Sequence, residues 1–196
     1  MAKKKSLKQN SFEWALILGI PAVLYLTGLH TEVIGRIQQG LLYTGLIRPE
    51  ISLPEDKQVS ADYDLSLLSL DGNMIHLSDY KGKVIFLNLW ASWCPPCIAE
   101  MPNIHDLYKK TDNEDVVFFM VSLDDTAEKA SEFIKKYGYT FPVYLPAGSI
   151  PDVFRSPTIP TTFIISPEGK IVSKREGMAQ YDTPAFRSFL KGLATR

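Results

Sequence analysis

Apolar and polar residues are distributed along this chain in a pattern that predicts strands and helices in alternation. Two apolar runs, residues 84–90 and 116–123, are rich in β-branched and aromatic residues and nearly free of polar ones. Such continuous runs are typical of strands that are buried on both faces. Between them, apolar residues recur at helical spacing from Ile98 to Leu107. A strand, a helix and another strand in this order predict a parallel βαβ unit.

Shorter segments complete the predicted α/β fold. Alternating apolar residues on both sides of an Asp-Gly turn predict a β-hairpin over residues 65–77, and residues 141–145 form a further short strand. Residues 161–174 are typical of a closing antiparallel hairpin. The pair Thr183-Pro184 predicts the N-cap and the first residue of a last helix.

The N-terminal pattern is different and indicates a membrane segment. Residues 1–11 contain lysines and no acid, and residues 14–29 are uncharged. This run is shorter than the roughly 20 residues of a usual spanning helix, so a cleavable signal peptide is the alternative to an anchor. No Ala-x-Ala-like cleavage site follows Leu26. We therefore expect an uncleaved anchor. The other alternative, a buried helix of the globular domain, fits badly with the basic leader.

The positive-inside rule keeps the lysines in the cytoplasm and exports everything after residue 30. Residues 31–47 have helical apolar spacing with polar residues between, and residues 48–61 lose periodicity. The sequence of residues 31–47 is compatible with three placements, along the membrane surface, as an extension of the anchor or packed on the domain, and it does not distinguish among them. The chain thus divides into a basic cytoplasmic leader (1–11), a signal anchor or transmembrane helix (12–29), a juxtamembrane amphipathic segment with a linker (30–61) and a globular domain (62–196).

Composition supports this division and excludes one class of partner. Of the 196 residues, 45% are apolar and 22% are charged, which suits one globular domain with an appendage. The net charge of -1 provides no electrostatic basis for nucleic-acid binding. We therefore expect no nucleic-acid partner.

Both cysteines of the chain, Cys94 and Cys97, lie between the strand at residues 84–90 and the following helix. Unpaired N–H groups and the positive end of the helix dipole favour a thiolate at a helix N-terminus. We expect Cys94 at the exposed end as the nucleophile. Cys97, one turn further and more shielded, then resolves the mixed disulfide by attacking Cys94.

Three other interpretations of the cysteine pair explain less. A purely structural disulfide that closes so short a loop restrains the unfolded chain little. Structural zinc needs four ligands, and the chain has no second cysteine pair and only scattered histidines, at His30, His76 and His105. Two free structural thiols leave the adjacent prolines unexplained. The sequence therefore predicts a redox-active pair and no metal site.

Several motifs together resemble the thioredoxin superfamily and, within it, its membrane-tethered TlpA/ResA-like thiol:disulfide oxidoreductases. These are the strand, the Trp-Cys-Pro-Pro-Cys sequence at residues 93–97, Pro102 in the helix and the Ile-Pro-Thr-Thr-Phe sequence at residues 159–163. The resemblance covers about residues 60–196. It implies a thioredoxin-like fold, with a central mixed sheet flanked by helices and an N-terminal β-hairpin. It also implies no cofactor beyond the redox-active Cys94–Cys97 disulfide.

The resemblance also implies a substrate site. Pro160 is expected to be cis and to face the cysteine pair, which leaves the backbone of Ile159 free to pair with an extended substrate. Trp93, Pro95 and Pro96 are the expected substrate-facing residues beside the thiols. Trp93 offers an apolar landing surface or packs in the ordinary way, and the second neighbouring tryptophan, at position 90, fills the base of the site or belongs to the core.

The acid near the thiols is the point at which this chain departs from many thioredoxins. Those proteins place a buried aspartate six residues before the first cysteine, where this chain has Asn88. An amide cannot take up a proton there, so another acid or water must serve. Glu100 is the candidate, since TlpA/ResA-like proteins with a glutamate in this place use it near the thiols. The alternative is an ordinary solvated helix glutamate.

These observations predict an exported, membrane-tethered thiol:disulfide oxidoreductase on the extracytoplasmic, periplasmic side of a bacterial inner membrane. By resemblance, it reduces disulfides of periplasmic proteins such as apocytochrome c, and a membrane thiol reductase supplies the electrons. One alternative is a thiol peroxidase, although no Pro-x-x-x-Thr-x-x-Cys motif precedes Cys94. Another is a copper-binding assembly module, although such modules use a longer cysteine spacing and a distal histidine, and no histidine follows His105.

Overall fold

The computed structural model describes residues 7–49, 52–111 and 114–195, with the backbone alone described over residues 7–12. Most of the predicted basic leader therefore lies outside the described residues. The remaining predictions can be compared with the fold directly.

The domain is built on one mixed sheet, in which we find eight strands over the described residues. Their order across the sheet is β1-β8-β7-β4-β5-β6-β2-β3. The central strands β4, β5 and β6 are parallel, and the other pairings are antiparallel. The strands are β1 (Val59–Ser60), β2 (Ser66–Ser69), β3 (Met74–His76), β4 (Val84–Trp90), β5 (Val116–Ser122), β6 (Val143–Pro146), β7 (Thr161–Ile165) and β8 (Lys170–Glu176).

Two of the helices have an end that a capping residue in the sequence marks. The described α-helices are α1 (Leu7–Leu26), α2 (His30–Tyr43), α3 (Pro95–Lys110), α4 (Ala127–Tyr137) and α5 (Pro184–Ala194). Helix α4 ends at Gly138, which adopts a φ of 69°, a left-handed conformation that glycine reaches without a Cβ clash. The predicted cap of α5 is confirmed, because the Thr183 side chain accepts a hydrogen bond from the Phe186 N–H.

Alternation along β4 divides the core into two layers. Val84, Phe86 and Trp90 face the layer formed with α3, α4 and α5. Ile85, Leu87 and Leu89 face the opposite layer, which contains residues of the β2–β3 hairpin region and of β7. All seven residues of β4 are buried, as predicted from the continuous apolar run. The thioredoxin-like mixed sheet with flanking helices and an N-terminal hairpin is thereby confirmed.

The N-terminal region contains two helices that meet at a bend. Over the residues whose side chains are described, no single helix has the length and apolar content needed to cross a membrane. Residues Glu13–Leu26 and His30–Tyr43 meet that criterion only together, with a bend of 105° between them.

The segment predicted as juxtamembrane helix and linker is attached to the domain. Helix α2 packs against α3, where Gly35 faces Pro95 and Ile98. Beyond α2, the Leu53 N–H donates to the Val172 carbonyl at 2.6 Å. Strand β1 then pairs with β8, so the sheet begins inside the predicted linker. The sequence pattern could not indicate this pairing, because a strand of two residues has no measurable periodicity.

Candidate functional site

The cysteine pair lies at the junction of β4 and α3, as the sequence predicted. Cys94 and Cys97 form a disulfide, with their Cα atoms 5.2 Å apart. Cys94 is the N-cap residue of α3, and its sulfur accepts a hydrogen bond from the Cys97 N–H at 3.3 Å. Pro95 occupies the first turn, where a missing N–H leaves no intrahelical bond unmade. The helix N-terminus therefore presents its free N–H groups to the Cys94 sulfur.

The exposure of Cys94 differs from the prediction. Cys94 is only 4% exposed and Cys97 is fully buried, so the expected order is right but the expected open position is wrong for the oxidised pair. The carbonyl oxygen of Ile159, in the loop that precedes β7, lies 3.7 Å from the Cys94 sulfur. Helix α2 covers the Pro95 backbone on another side. A partner sulfur therefore has a restricted path to Cys94.

The loop before β7 faces the disulfide. The Ile159–Pro160 peptide bond is cis, as the resemblance implied. Pro160 is buried and Ile159 is partly exposed. This placement brings the backbone of Ile159 next to Cys94, where an extended chain has access to main-chain hydrogen-bonding groups.

Glu100 is a buried acid and not a solvated helix residue. Its carboxylate is fully buried one turn beyond Cys97 on α3. Asn88 Nδ2 donates to it at 2.9 Å and the Ala179 N–H donates at 3.2 Å. Burial raises the pKa of Glu100 to about 8, although both hydrogen bonds and the positive charge of Arg175 act to lower it. The side chain is therefore mostly protonated at neutral pH and close to its titration range.

A chain of buried hydrogen bonds continues from Glu100 towards β7. Asn88 pairs with Thr162 across the β4–β7 ladder, and its Nδ2 also donates to Thr162 Oγ1 at 2.9 Å. The Tyr181 hydroxyl donates to the same oxygen at 2.7 Å. Sequence reasoning identified Asn88 only as a missing aspartate and missed Thr162 and Tyr181. Thr162 was recognisable through its place in the Ile-Pro-Thr-Thr motif, whereas Tyr181 follows β8 in a segment with no local signal.

Asp124 is a second residue that sequence reasoning missed. It lies just beyond β5 and is 6% exposed. Its carboxylate accepts from the Ser92 N–H at 3.1 Å, from the Ser92 hydroxyl at 2.7 Å and from the Ser122 hydroxyl at 2.7 Å. These bonds fix the turn that leads from β4 to Cys94. The carboxyl ends of parallel β4 and β5 lie at the same sheet edge, which explains why residues distant in sequence meet here.

Asp124→Asn is expected to destabilise this turn. One carboxamide oxygen cannot accept all the bonds that the two carboxylate oxygens accept, so we expect a loss of about 1–3 kcal/mol in the free energy of unfolding. Asp125→Asn is the matched control, since its side chain is exposed and pairs with Lys129 in solvent. Urea unfolding of both variants measures the difference. Equal stability of the two variants would contradict the role given to Asp124.

The two tryptophans of the motif have different surroundings. Trp90 is fully buried and packs against Phe133, with ring centroids 5.2 Å apart, so it belongs to the core. Trp93 is 56% exposed at the entrance to the disulfide. Pro95 and Pro96 are both partly exposed beside it. Over the described residues, no three or more histidine, cysteine or acidic side chains converge as a metal ion would require.

This fold and this site define a class: a thioredoxin-fold thiol-disulfide oxidoreductase, with its disulfide at the start of a helix and a cis-proline loop opposite. The profile of the AhpC/TSA family matches residues 58–174, which is more than half of the chain. The chain belongs to the AhpC/TSA family, and its curated relatives are thiol-disulfide oxidoreductases.

Individual comparisons agree with this assignment. Thiol-disulfide oxidoreductase ResA of Oceanobacillus iheyensis is 39% identical over 124 residues, which are 62% of this chain and 65% of that protein. The protein of the same name from Bacillus thuringiensis subsp. konkukian is 33% identical over 137 residues, or 69% of this chain and 78% of that protein. A crystal structure from Chlorobium tepidum, assigned as thiol:disulfide interchange protein DsbE, has a TM-score of 0.59 and 27% identity, covering 69% of this chain and 98% of that one.

Proposed function

We propose that this protein reduces disulfide bonds of exported proteins through Cys94 and Cys97, while its N-terminal helix tethers it to the extracytoplasmic side of the inner membrane. The observation that carries the proposal is the position of the disulfide. It caps α3, and its outer sulfur is 3.7 Å from a backbone carbonyl of the cis-proline loop. An extended substrate that pairs with this loop brings its own sulfur towards Cys94.

The reaction is a two-step exchange that begins from the reduced dithiol. The Cys94 thiolate attacks one sulfur of the substrate disulfide, which forms a mixed disulfide and releases one substrate thiolate. Cys97 then loses its proton and attacks Cys94, which forms the Cys94–Cys97 disulfide and releases the second substrate thiolate. Two electrons pass to the substrate, and both of its sulfurs end as thiols after protonation.

Glu100 is suited to the proton transfers of this exchange. It lies one turn beyond Cys97 on the buried side of α3, and its pKa of about 8 is near the operating range. A group with such a pKa is partly ionised near neutral pH, so its carboxylate form accepts the proton of Cys97 during reduction and its protonated form returns it in the reverse reaction.

The substrate surface consists of residues around the entrance to Cys94. Ile159 supplies main-chain groups, and Pro160 orients the loop that carries them. The exposed ring of Trp93 offers apolar contact area, and Pro95 and Pro96 form the rim beside it. Because the main-chain contacts do not depend on substrate side chains, this surface accepts more than one protein disulfide, apocytochrome c among them.

Membrane attachment is supported by the surface of α1. Its apolar side chains are largely exposed, which is costly in water and favourable in lipid. They include Trp14, Ile17, Leu18, Ile20, Val23, Tyr25 and Leu26. By the positive-inside rule, the lysines at the start of the chain favour a cytoplasmic N-terminus for this helix. Electrons then reach the exported disulfide from a membrane thiol reductase.

The test is capture of the mixed disulfide. Cys97→Ser leaves Cys94 able to attack and removes the thiol that releases the substrate, so we expect reductant-sensitive adducts through Cys94 on exported proteins. The double variant Cys94→Ser/Cys97→Ser is the control and should form none. Absence of any adduct on the extracytoplasmic side, with the variant folded and inserted, would contradict the proposal.

A peroxide assay distinguishes the alternative enzyme. A thiol peroxidase consumes hydrogen peroxide with a dithiol reductant at a rate far above that of the reductant alone. We expect this protein to reduce a protein disulfide under the same conditions and to leave the rate of peroxide consumption unchanged. The opposite pattern would favour the thiol peroxidase.

A further inference from the structure

Helix α2 is oriented with its apolar stripe away from the domain. The side of α2 that packs on the domain carries mainly small or polar residues, namely Thr31, Glu32, Gly35, Gln38, Gln39 and Leu42. The exposed side carries the larger apolar residues Val33, Ile34, Ile37 and Leu41. Ile37 is 70% exposed. A surface helix of a globular protein usually has the reverse arrangement, so this stripe needs a partner outside the domain.

The contacts of α2 with the domain fix this orientation. A Cβ atom on Gly35 would lie 3.1 Å from Ile98 Cβ and from the Pro95 carbonyl oxygen, so a side chain at this position would push α2 and the first turn of α3 apart. At one side of the helix, Lys136 of α4 forms an ion pair with Glu32 at 2.7 Å. Leu42 is buried near the other end. The helix therefore cannot turn its stripe inward without losing these contacts.

The stripe lies on the same face of α2 as the residue that contacts α1. His30, Ile34, Ile37 and Leu41 are spaced by four, three and four residues, so they share one face of the helix. The His30 ring contacts the Tyr25 ring of α1, with centroids 5.3 Å apart. The two helices meet at 105°. When α1 stands upright in a bilayer, α2 consequently lies nearly parallel to the membrane plane with its stripe towards the lipid.

We propose that α2 is an interfacial helix whose Val33, Ile34, Ile37 and Leu41 enter the headgroup region of the bilayer, while its polar face holds the redox site at the membrane surface. The occupant of the stripe is the lipid surface, because the stripe shares its helix face with His30, which joins it to the exposed apolar surface of α1 through Tyr25. This inference rests on the membrane attachment proposed above and adds to it a fixed orientation of the domain.

The arrangement determines where partners meet Cys94. The bend between α1 and α2 shares a cleft of about 240 Å³ with Ser92 and Ile98, which flank the cysteine pair in sequence. The place where the chain leaves the bilayer is therefore beside the disulfide. A membrane dithiol donor can then reach Cys94 at the headgroup level without detachment of the domain.

The test measures depth at three positions of the full chain in vesicles of phosphatidylcholine and phosphatidylglycerol. Each variant carries one added cysteine with an NBD fluorophore in a Cys94→Ala/Cys97→Ala background. Ile37→Cys reports on the stripe, Leu18→Cys on α1, and Glu128→Cys on an exposed site of α4. Three quenchers are used. Two are phosphatidylcholines with a nitroxide on the acyl chain, one near the headgroup (the shallow nitroxide) and one midway along the chain (the deeper nitroxide). The third is iodide in the aqueous phase.

We expect the label at position 37 to be quenched most by the shallow nitroxide and at least about threefold less by iodide than the label at position 128. The label at position 18 should respond most to the deeper nitroxide. Iodide quenching at position 37 equal to that at position 128, with position 18 still quenched by lipid, would overturn the inference and leave the anchor intact. Shielding from both quenchers at position 37 would overturn it in favour of a second copy of the chain. Lack of lipid quenching at position 18 would instead contradict the proposed anchor.

Discussion

Cys94→Ser is expected to abolish disulfide reduction, with a loss in rate on the order of 10³-fold or more, because no other thiol can start the exchange. Cys97 is fully buried beneath Cys94 and cannot replace it as the attacking group. Cys97→Ser should also fail to turn over but should keep the first step. In a single turnover of the reduced protein with a small disulfide, the Cys97 variant should release one thiol per chain and the Cys94 variant none.

The same experiment can contradict the assignment of roles. If Cys97→Ser abolished the release of that thiol and Cys94→Ser retained it, the order of attack would be reversed. Rates of alkylation give an independent measurement, since the sulfur at the helix N-terminus should react much faster with iodoacetamide in the reduced protein. Two equally slow thiols would contradict the proposed nucleophile.

Glu100→Gln is expected to remove a pH dependence of stability. The pKa of Glu100 is raised from 4.5 to about 8 by burial, so between these values the folded protein keeps a proton that the unfolded chain releases. The contribution of Glu100 to stability is therefore complete below pH 4.5, falls by about 1.4 kcal/mol per pH unit as the pH rises towards 8, and is constant above it. Glutamine does not titrate, so the free energy of unfolding of the variant should increase relative to that of the wild type as the pH rises through this interval.

Urea unfolding of the oxidised protein from pH 5 to pH 9 measures this effect. Tyr181→Phe is the matched control, because it removes the 2.7 Å hydrogen bond to Thr162 in the same buried network without touching the carboxylate. We expect it to cost about 1 kcal/mol at every pH and to leave the slope unchanged. If the free energy of unfolding had the same pH dependence in the wild type and in Glu100→Gln, the pH dependence would come from another group.

The same variant separates a role in catalysis from a role in stability. Loss of a general acid–base group typically costs about 10²-fold or more in rate. We expect Glu100→Gln to lower the rate of the resolving step by about that factor and to remove the titration near pH 8 from its pH profile. Tyr181→Phe should keep this titration. A Glu100→Gln profile that matches the wild type would restrict Glu100 to a structural role.

Glu100 shows which properties of the site could be predicted from local sequence and which could not. The resemblance, together with the place of Glu100 near the cysteines, predicted a proton-transfer role for this residue, and the structure joins Glu100 to Asn88 by a hydrogen bond. The spacing could not give the environment of Glu100. Glu100 is fully buried and accepts a hydrogen bond from Ala179, which comes from the far end of the chain after β8. Helical periodicity alone could not distinguish a buried from a solvated glutamate at this position.

Asp124 and the exposure of Cys94 show the same limit. An acidic residue after a strand is common in any α/β sequence, and only the parallel pairing of β4 with β5 brings Asp124 to Ser92. Cys94 was expected in an open position because a helix N-terminus usually faces solvent. The cis-proline loop and α2 approach it from elsewhere in the chain and leave it 4% exposed.

The sequence by itself determined the order of strands and helices from β2 onward, the cysteine pair at a helix N-terminus and the class of chemistry, because these depend on periodicity and on residues adjacent in the chain. The tertiary structure alone decided the burial of Glu100, the support of the Cys94 turn by Asp124 and the outward direction of the α2 stripe. Each of these depends on contacts between segments separated by tens of residues, and such contacts leave no periodic signal in the sequence.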